Sequence, residues 1–124
     1  MSKIRVFHLS DRATIDQRAD AMMAFNEAEH GNRCVRMWWA GLYDEVAEVE
    51  TSNLDLAYEL TNHIDQSWPD NTGVTAFREN PKSTSVGDVL AHPDGKVYLV
   101  ASMGFMQMFV DAPAERKPVA PESR

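Results

Sequence analysis

Cysteine is nearly missing from this chain of 124 residues: Cys34 stands alone. One thiol excludes an intramolecular disulfide and a zinc site built on four cysteines. Long apolar runs are missing as well. No stretch approaches the roughly 20 residues that a membrane span requires. The opening Met-Ser-Lys-Ile-Arg-Val-Phe-His also lacks the apolar core of a secretion signal. The expectation is a cytoplasmic, reduced, single-domain protein. Glycine never clusters: the six lie apart at 31, 41, 73, 87, 95 and 104, which leaves no loop to cradle a phosphate. Basic charge is absent from the middle third. Between Met37 and Phe77 there are eight acids and no Lys or Arg.

Those acids are Asp44, Glu45, Glu48, Glu50, Asp55, Glu59, Asp65 and Asp70, and they account for all of the excess in the formal net charge of −7. Such a surface repels phosphate backbones and anionic lipid, so direct nucleic-acid binding and membrane binding are not expected. It suits a cationic protein partner, a divalent cation, or no partner at all. The plainer reading is a solvated face that keeps the protein in solution.

The hydrophobic pattern gives an α+β domain over residues 1–110, followed by a Pro-rich flexible tail, 111–124. Lys3–Leu9 alternates like an edge or half-buried strand, with Ile4, Val6 and His8 in one phase. Thr14 and Gln17 have capping-box spacing, which opens a helix that runs to about His30 and stops at Gly31-Asn32. Its expected inner face is Ile15, Ala19, Met22 and Phe25. Cys34–Ala40 and Glu45–Thr51 read as a hairpin turning near Gly41-Leu42-Tyr43-Asp44, with Trp38 and Trp39 on opposite faces of its first strand. Ser52 and Asp55 signal a second helix over about Asn53–Gln66, with Leu56, Ala57, Leu60 and Ile64 inward. Val74–Phe77, Val86–Leu90, Lys96–Ser102 and Phe105–Val110 read as strands. The expected architecture is two helices packed on one face of a largely antiparallel sheet, in the order β-α-β-β-α-β-β-β, with Val74–Phe77 as an extra short strand.

No set of residues converges on covalent chemistry at sequence level. His30 and Cys34 are separated by Gly31-Asn32, His63 and Asp65 diverge on a helix, and His8 and His92 stand alone, so no metal and no cofactor is implied. Arg33 and Arg36 beside Cys34 favour a reactive thiolate, but a buried, inert cysteine is the stronger expectation. Ser83–Asp88 gathers hydroxyls and a carboxylate without a matching histidine. Asn62 is expected to hydrogen-bond the loop holding Ser85 and Gly87, as a structural bracket. The distinctive surplus is aromatic, with three Trp, three Tyr and five Phe. One of Trp38 and Trp39 is expected to be core, and the other an exposed anchor.

Two stretches together carry a resemblance. They are Ala57-Tyr58-Glu59-Leu60-Thr61-Asn62-His63-Ile64-Asp65, with Trp68 and Asn71, and Ser83-Thr84-Ser85-Val86-Gly87-Asp88-Val89, followed by Asp94-Gly95, Tyr98 and Gly104-Phe105. The pair resembles a family of small proteins from actinobacterial phages and related mobile elements, and the Ser-Thr-Ser-Val-Gly-Asp-Val entry looks like that of YodL-like modules. Family members often carry Arg where this chain has Lys82. The resemblance brings no activity and no catalytic residue; it implies a phage or mobile-element product in a bacterial cytoplasm. The expected function is binding of a cationic host or phage protein, with a DNA-mimicking acidic surface and an aromatic anchor. The candidate contact residues are Trp38, Trp39, Asp44, Glu45, Glu48, Glu50, Asp55 and Glu59. The alternatives are a homo-oligomer with a Trp face buried between protomers, and a small enzyme using Cys34 or the Ser83–Asp88 loop.

Overall fold

A computed structural model describes residues 2–22, 28–62, 68–78, 81–101 and 103–114. The elements run β1 (Ile4–Leu9), α1 (Ile15–Met22), α2 (Ala28–Trp39), β2 (Tyr43–Val49), α3 (Leu54–Thr61), a 3-10 turn at Trp68–Asp70, β3 (Val74–Ala76), β4 (Val89–Ala91), β5 (Val97–Val100) and β6 (Phe105–Met108). One six-stranded antiparallel sheet has the order β3-β2-β1-β4-β5-β6. The α+β class is as the sequence implies.

Strand β1 is central rather than an edge. Its two phases enter two different cores. Phe7 and Leu9 join Val89, Ala91, Val97, Leu99 and Met108 under Ala21 of α1 and Cys34 and Met37 of α2. Ile4 and Val6 join Leu90, Val100, Val46, Ala47 and Val49 under Ala57 of α3 and the Trp68 indole. The helices therefore cover both faces of the sheet, not one. Apolar residues in both phases of a strand require cover on both sides. In β2, Val46 and Ala47 are consecutive yet share one core. A bulge reconciles this, because Val6 faces Ala47 while Phe7 faces Glu45.

Cys34–Ala40 is helical, so the expected hairpin does not form and Gly31-Asn32 lie inside α2 rather than ending a helix. Cys34, Met37 and Trp38 recur at helical spacing, and their burial outweighs the glycine penalty of about 1 kcal/mol. Gly41 supplies the stop instead. At φ +74° it closes a Schellman turn, with Leu42 N–H donating to the Met37 carbonyl and Gly41 N–H to that of Trp38.

Helix α1 begins with the expected reciprocal cap: Thr14 N–H donates to Gln17 Oε1 (2.8 Å) and Gln17 N–H to Thr14 Oγ1 (3.1 Å). Its inner face differs from expectation. Ile15 is 87% exposed and Ala19 is exposed, while Ala21 is buried. The expected positions Phe25 and Ile64 lie outside the described residues, as do 63–67 of the second helix. Helix α3 is capped by Asn53, whose Oδ1 accepts from Leu56 N–H (3.1 Å), one residue later than the Ser52 signal.

Ala21 is small because α1 lies directly on the loop before β4. A Cβ at Gly87 would sit 2.7 Å from both the Cβ and the carbonyl oxygen of Ala21, and Gly87 has φ +94°. Gly95 has nearly the same φ, +93°, but open space around it. Gly87→Ala is therefore expected to cost well over the roughly 1 kcal/mol of left-handed strain that Gly95→Ala costs. Urea unfolding of the two variants measures the difference, and equal losses would contradict the close helix–loop contact.

Candidate binding surface

The acidic residues do not form one free ridge. Glu45 is held by Arg5 through two 3.0 Å hydrogen bonds, Nε to Oε2 and Nη2 to Oε1, and both side chains are largely buried. Glu48 pairs with Lys3 Nζ (3.0 Å), and Asp44 with Arg12 (3.4 Å) and Arg78 (3.1 Å). Their cations come from outside the acid-only segment. Antiparallel pairing sets β1 against β2, and two of those cations, Lys3 and Arg5, come from β1 or from the residue just before it. Glu50, Asp55 and Glu59 are exposed and lie elsewhere, after β2 and on α3. Asp55 and Glu59, one turn apart, share a surface of α3 with Leu56, which is 40% exposed rather than turned inward as expected.

The adjacent tryptophans separate as α2 requires. Successive residues on a helix are about 100° apart, so one indole turns inward and the other outward. Trp38 packs edge-on against Phe7 (centroids 5.1 Å apart) and beside Tyr43 (5.8 Å). Trp39 is 64% exposed. Between them opens a groove of about 380 Å³, lined by Phe7, Trp38, Trp39, Gly41, Tyr43 and the segment Asp111–Pro113.

That segment, the start of the Pro-rich stretch, is fixed by its carbonyls. Trp38 Nε1 donates to Asp111 O (3.3 Å), and the Arg5 guanidinium donates to Pro113 O (2.5 Å) and Ala114 O (3.0 Å). Arg5 also lies 5.3 Å from the Phe7 ring centroid. Glu45 thus serves as an anchor: it fixes the fork that holds the tail. Residues 115–124 lie outside the described residues.

On the opposite face, tertiary structure assembles a polar cluster that the sequence hid. His8, buried in β1, shares a 2.8 Å hydrogen bond between Nε2 and Thr84 Oγ1, and its ring stands edge-on to Trp68. Asp88 Oδ1 accepts from Leu9 N–H (3.0 Å). Its Oδ2 accepts from Lys82 Nζ (2.8 Å) and Ser85 N–H (2.9 Å). Asn62 Nδ2 donates to the Thr84 carbonyl, the expected bracket, and Thr84 N–H donates to Thr61 O. The clue to His8 was its phase, since it alternates with Ile4 and Val6 and must turn inward with them.

His8 Nε2 lies 4.0 Å from Asp88 Oδ2, near enough for an ion pair. Burial nevertheless dominates. It lowers the imidazole pKa to about 4; the Asp88 charge opposes the shift, and Lys82 and Arg78 add to it. His8 is neutral at pH 7, and with Asp88 fully engaged the cluster works as a clamp joining β1, α3 and the 82–88 loop. Cys34 is equally withdrawn. Burial raises its thiol to about 11; a hydrogen bond with Tyr43 opposes that shift, and Asp20 adds to it. Burial likewise raises the Tyr43 phenol, whose hydroxyl donates to Gly87 O (2.7 Å). Cys34 is thereby held as the thiol, and in the Ser83–Asp88 loop the Asp88 carboxylate is bound by Lys82 and the Ser85 amide. Among the described residues no three His, Cys, Asp or Glu side chains gather as a metal site, and no helix is long and apolar enough to cross a membrane.

No family model matches this chain, and neither a curated protein nor a solved structure matches it significantly.

Two outcomes follow from the buried groups. The folded-state pKa of His8 lies below its unfolded value of 6.5. The unfolded chain therefore takes up a proton first as the pH falls. Stability attributable to His8 is intact above pH 6.5 and declines by up to about 3 kcal/mol by pH 4. Urea unfolding between pH 7.5 and 4 should show this slope, and His8→Gln should flatten it. Cys34 should react with a disulfide reagent at pH 8 only slowly in the native state, and rapidly once unfolded. Equal native and denatured labelling rates would contradict its burial.

Proposed function

We propose that this protein works by recognising another protein, and that it docks through the Trp38–Trp39 groove rather than through a DNA-like acidic ridge. The observation that carries this reading is Trp39: a large indole left mostly uncovered at the mouth of an aromatic groove, beside a chain segment already held by its carbonyls. Exposed tryptophans beside a pocket are common energetic centres of interfaces.

The geometry favours an extended, proline-containing and cationic segment. Aromatic grooves with an indole N–H directed at a peptide carbonyl suit extended proline-rich chains, and here Trp38 already makes that bond to Asp111. The cationic preference follows from the net charge of −7 and from the exposed Asp111 at the groove. An Arg of the partner stacks on the Trp39 face and pairs with Asp111. The resemblance carried by Ala57–Asp65 and Ser83–Val89 makes that partner a host or phage protein in a bacterial cytoplasm, which stays part of the proposal.

A short peptide alternating Pro and Arg is the probe, with its Pro-Glu counterpart as control, and tryptophan fluorescence is the readout. The Arg peptide is expected to bind, the Glu peptide not to bind, and Trp39→Ala to weaken binding about tenfold or more without lowering thermal stability. Absence of binding, or equal binding by Trp39→Ala, would overturn the assignment.

A further inference from the structure

The sheet has two ends, and they are defended differently. At one end β3 spans three residues, Val74–Ala76, with Pro69 and Asp70 shortly before it and Arg78 shortly after. Short, charged and proline-flanked edges resist pairing with other chains. At the other end β6 is also short, at four residues, and Asp111 and Pro113 follow it, but neither the strand nor its hairpin with β5 carries a charge. Residues 97–110 include no Asp, Glu, Lys, Arg or Pro. Among the described residues no strand pairs with the outer side of β6. Met103 and Phe109, which flank it, are 85% and 86% exposed.

The hydrogen-bond phase tells which backbone groups are open. Gly87 N–H donates to Val100 O and Val100 N–H to Asp88 O, so the Val100 backbone faces β4. Ala101 N–H donates to Gly104 O, so Ala101, and with it Leu99 and Val97, faces β6. Their partners are Gly104, Met106 and Met108. By alternation, the backbone N–H and C=O groups of Phe105 and Gln107 point outward, and no strand among the described residues receives them; the strand ends at Met108, whose carbonyl accepts from Val110 N–H in a tight turn about Phe109.

The side chains along this edge are self-complementary. Residues 105–109 read Phe-Met-Gln-Met-Phe, the same in both directions. An antiparallel two-fold about Gln107 sets each residue against its own kind: Gln107 on Gln107, Met106 on Met108, Phe105 on Phe109. Gln107 is also the residue whose outward amide makes that register a hydrogen-bonded one. Phe105 packs edge-on against Tyr58, centroids 6.3 Å apart. The exposed Phe109 ring of a second copy would extend that aromatic pair.

We propose that β6 is a dimerisation edge, pairing antiparallel with β6 of a second copy of this chain about a two-fold axis through Gln107, so that the two sheets become one. A two-fold interface must be complementary to itself, and the open hydrogen-bond phase and the residue palindrome share one centre. This inference does not rest on the Trp39 groove.

The test uses the full chain. Sedimentation at high micromolar concentration is expected to give a dimer. Gln107→Lys, which sets two cations together on the axis, and Gln107→Pro, which removes an amide that β5 does not use, are both expected to give monomers with unchanged thermal unfolding of the protomer. Gln107→Cys is expected to link two copies when diamide is the oxidant, because opposed residues of a hydrogen-bonded antiparallel pair lie about 5.5 Å apart, within disulfide reach. Thr75→Cys, on the β3 edge, is expected to remain unlinked, and the buried Cys34 gives little background. A wild-type monomer at these concentrations would overturn the proposal. So would a dimer that survives both substitutions, or linkage through Thr75→Cys instead of Gln107→Cys.

Discussion

Strand β1 has no side turned to water. Ile4 and Val6 supply one core, Phe7 and Leu9 the other, and the only strongly polar side chains among its residues, Arg5 and His8, are each held by partners on neighbouring elements. A strand apolar in both phases cannot stand at an edge or under a single helical layer, because either arrangement leaves several large side chains in water. At about 25 cal/mol per Å² of apolar surface, that exposure would cost several kcal/mol. The two-faced covering, with α1 and α2 above and α3 with Trp68 below, follows from this one constraint. So does the position of β1 at the centre of the sheet, between β2 and β4.

The polar side chains on β1 then become the joints of the molecule. Arg5 reads two surfaces at once, binding the Glu45 carboxylate with one part of its fork and the tail carbonyls with the rest. A planar donor array suits that double duty where an ammonium would not. His8 does the corresponding work below the sheet, where a neutral imidazole and the Thr84 hydroxyl satisfy each other away from water. A buried polar group is tolerated only when its partners are supplied. Asp88 shows the same economy, since backbone amides of β1 and of its own loop, together with Lys82, occupy both carboxylate oxygens.

Charge illustrates how far linear order can mislead. The segment from Met37 to Phe77 has no Lys or Arg, and along the sequence it looks like a continuous negative face. The fold lays β1 and the arginines at 12 and 78 beside β2, so that Asp44, Glu45 and Glu48 are matched by cations distant in the chain. Among the described residues of that segment, the negative surface that remains is scattered over Glu50, Asp55, Glu59 and Asp70. What stands out after that neutralisation is apolar: Trp39 at the groove, and the uncharged edge of β6.

Local sequence determined what depends on neighbours a few residues apart. The Thr14–Gln17 cap, the strands around 4–9, 74–76, 89–91, 97–100 and 105–108, and the helix near Leu54–Thr61 were all legible, because capping, alternation and turn chemistry are short-range; which of Trp38 and Trp39 is exposed was not. Over Cys34–Ala40 the strand reading was wrong: Val35, Met37 and Trp39 alternate as in a strand, but Cys34, Met37 and Trp38 also recur as in a helix. Only packing against Phe7 and Leu9 chose between these patterns. The rotation of α1 onto Ala21, the ion pairs that neutralise β2, and the meeting of His8 with Thr84 and Asp88 belong to tertiary structure alone, since each joins residues that no periodicity relates.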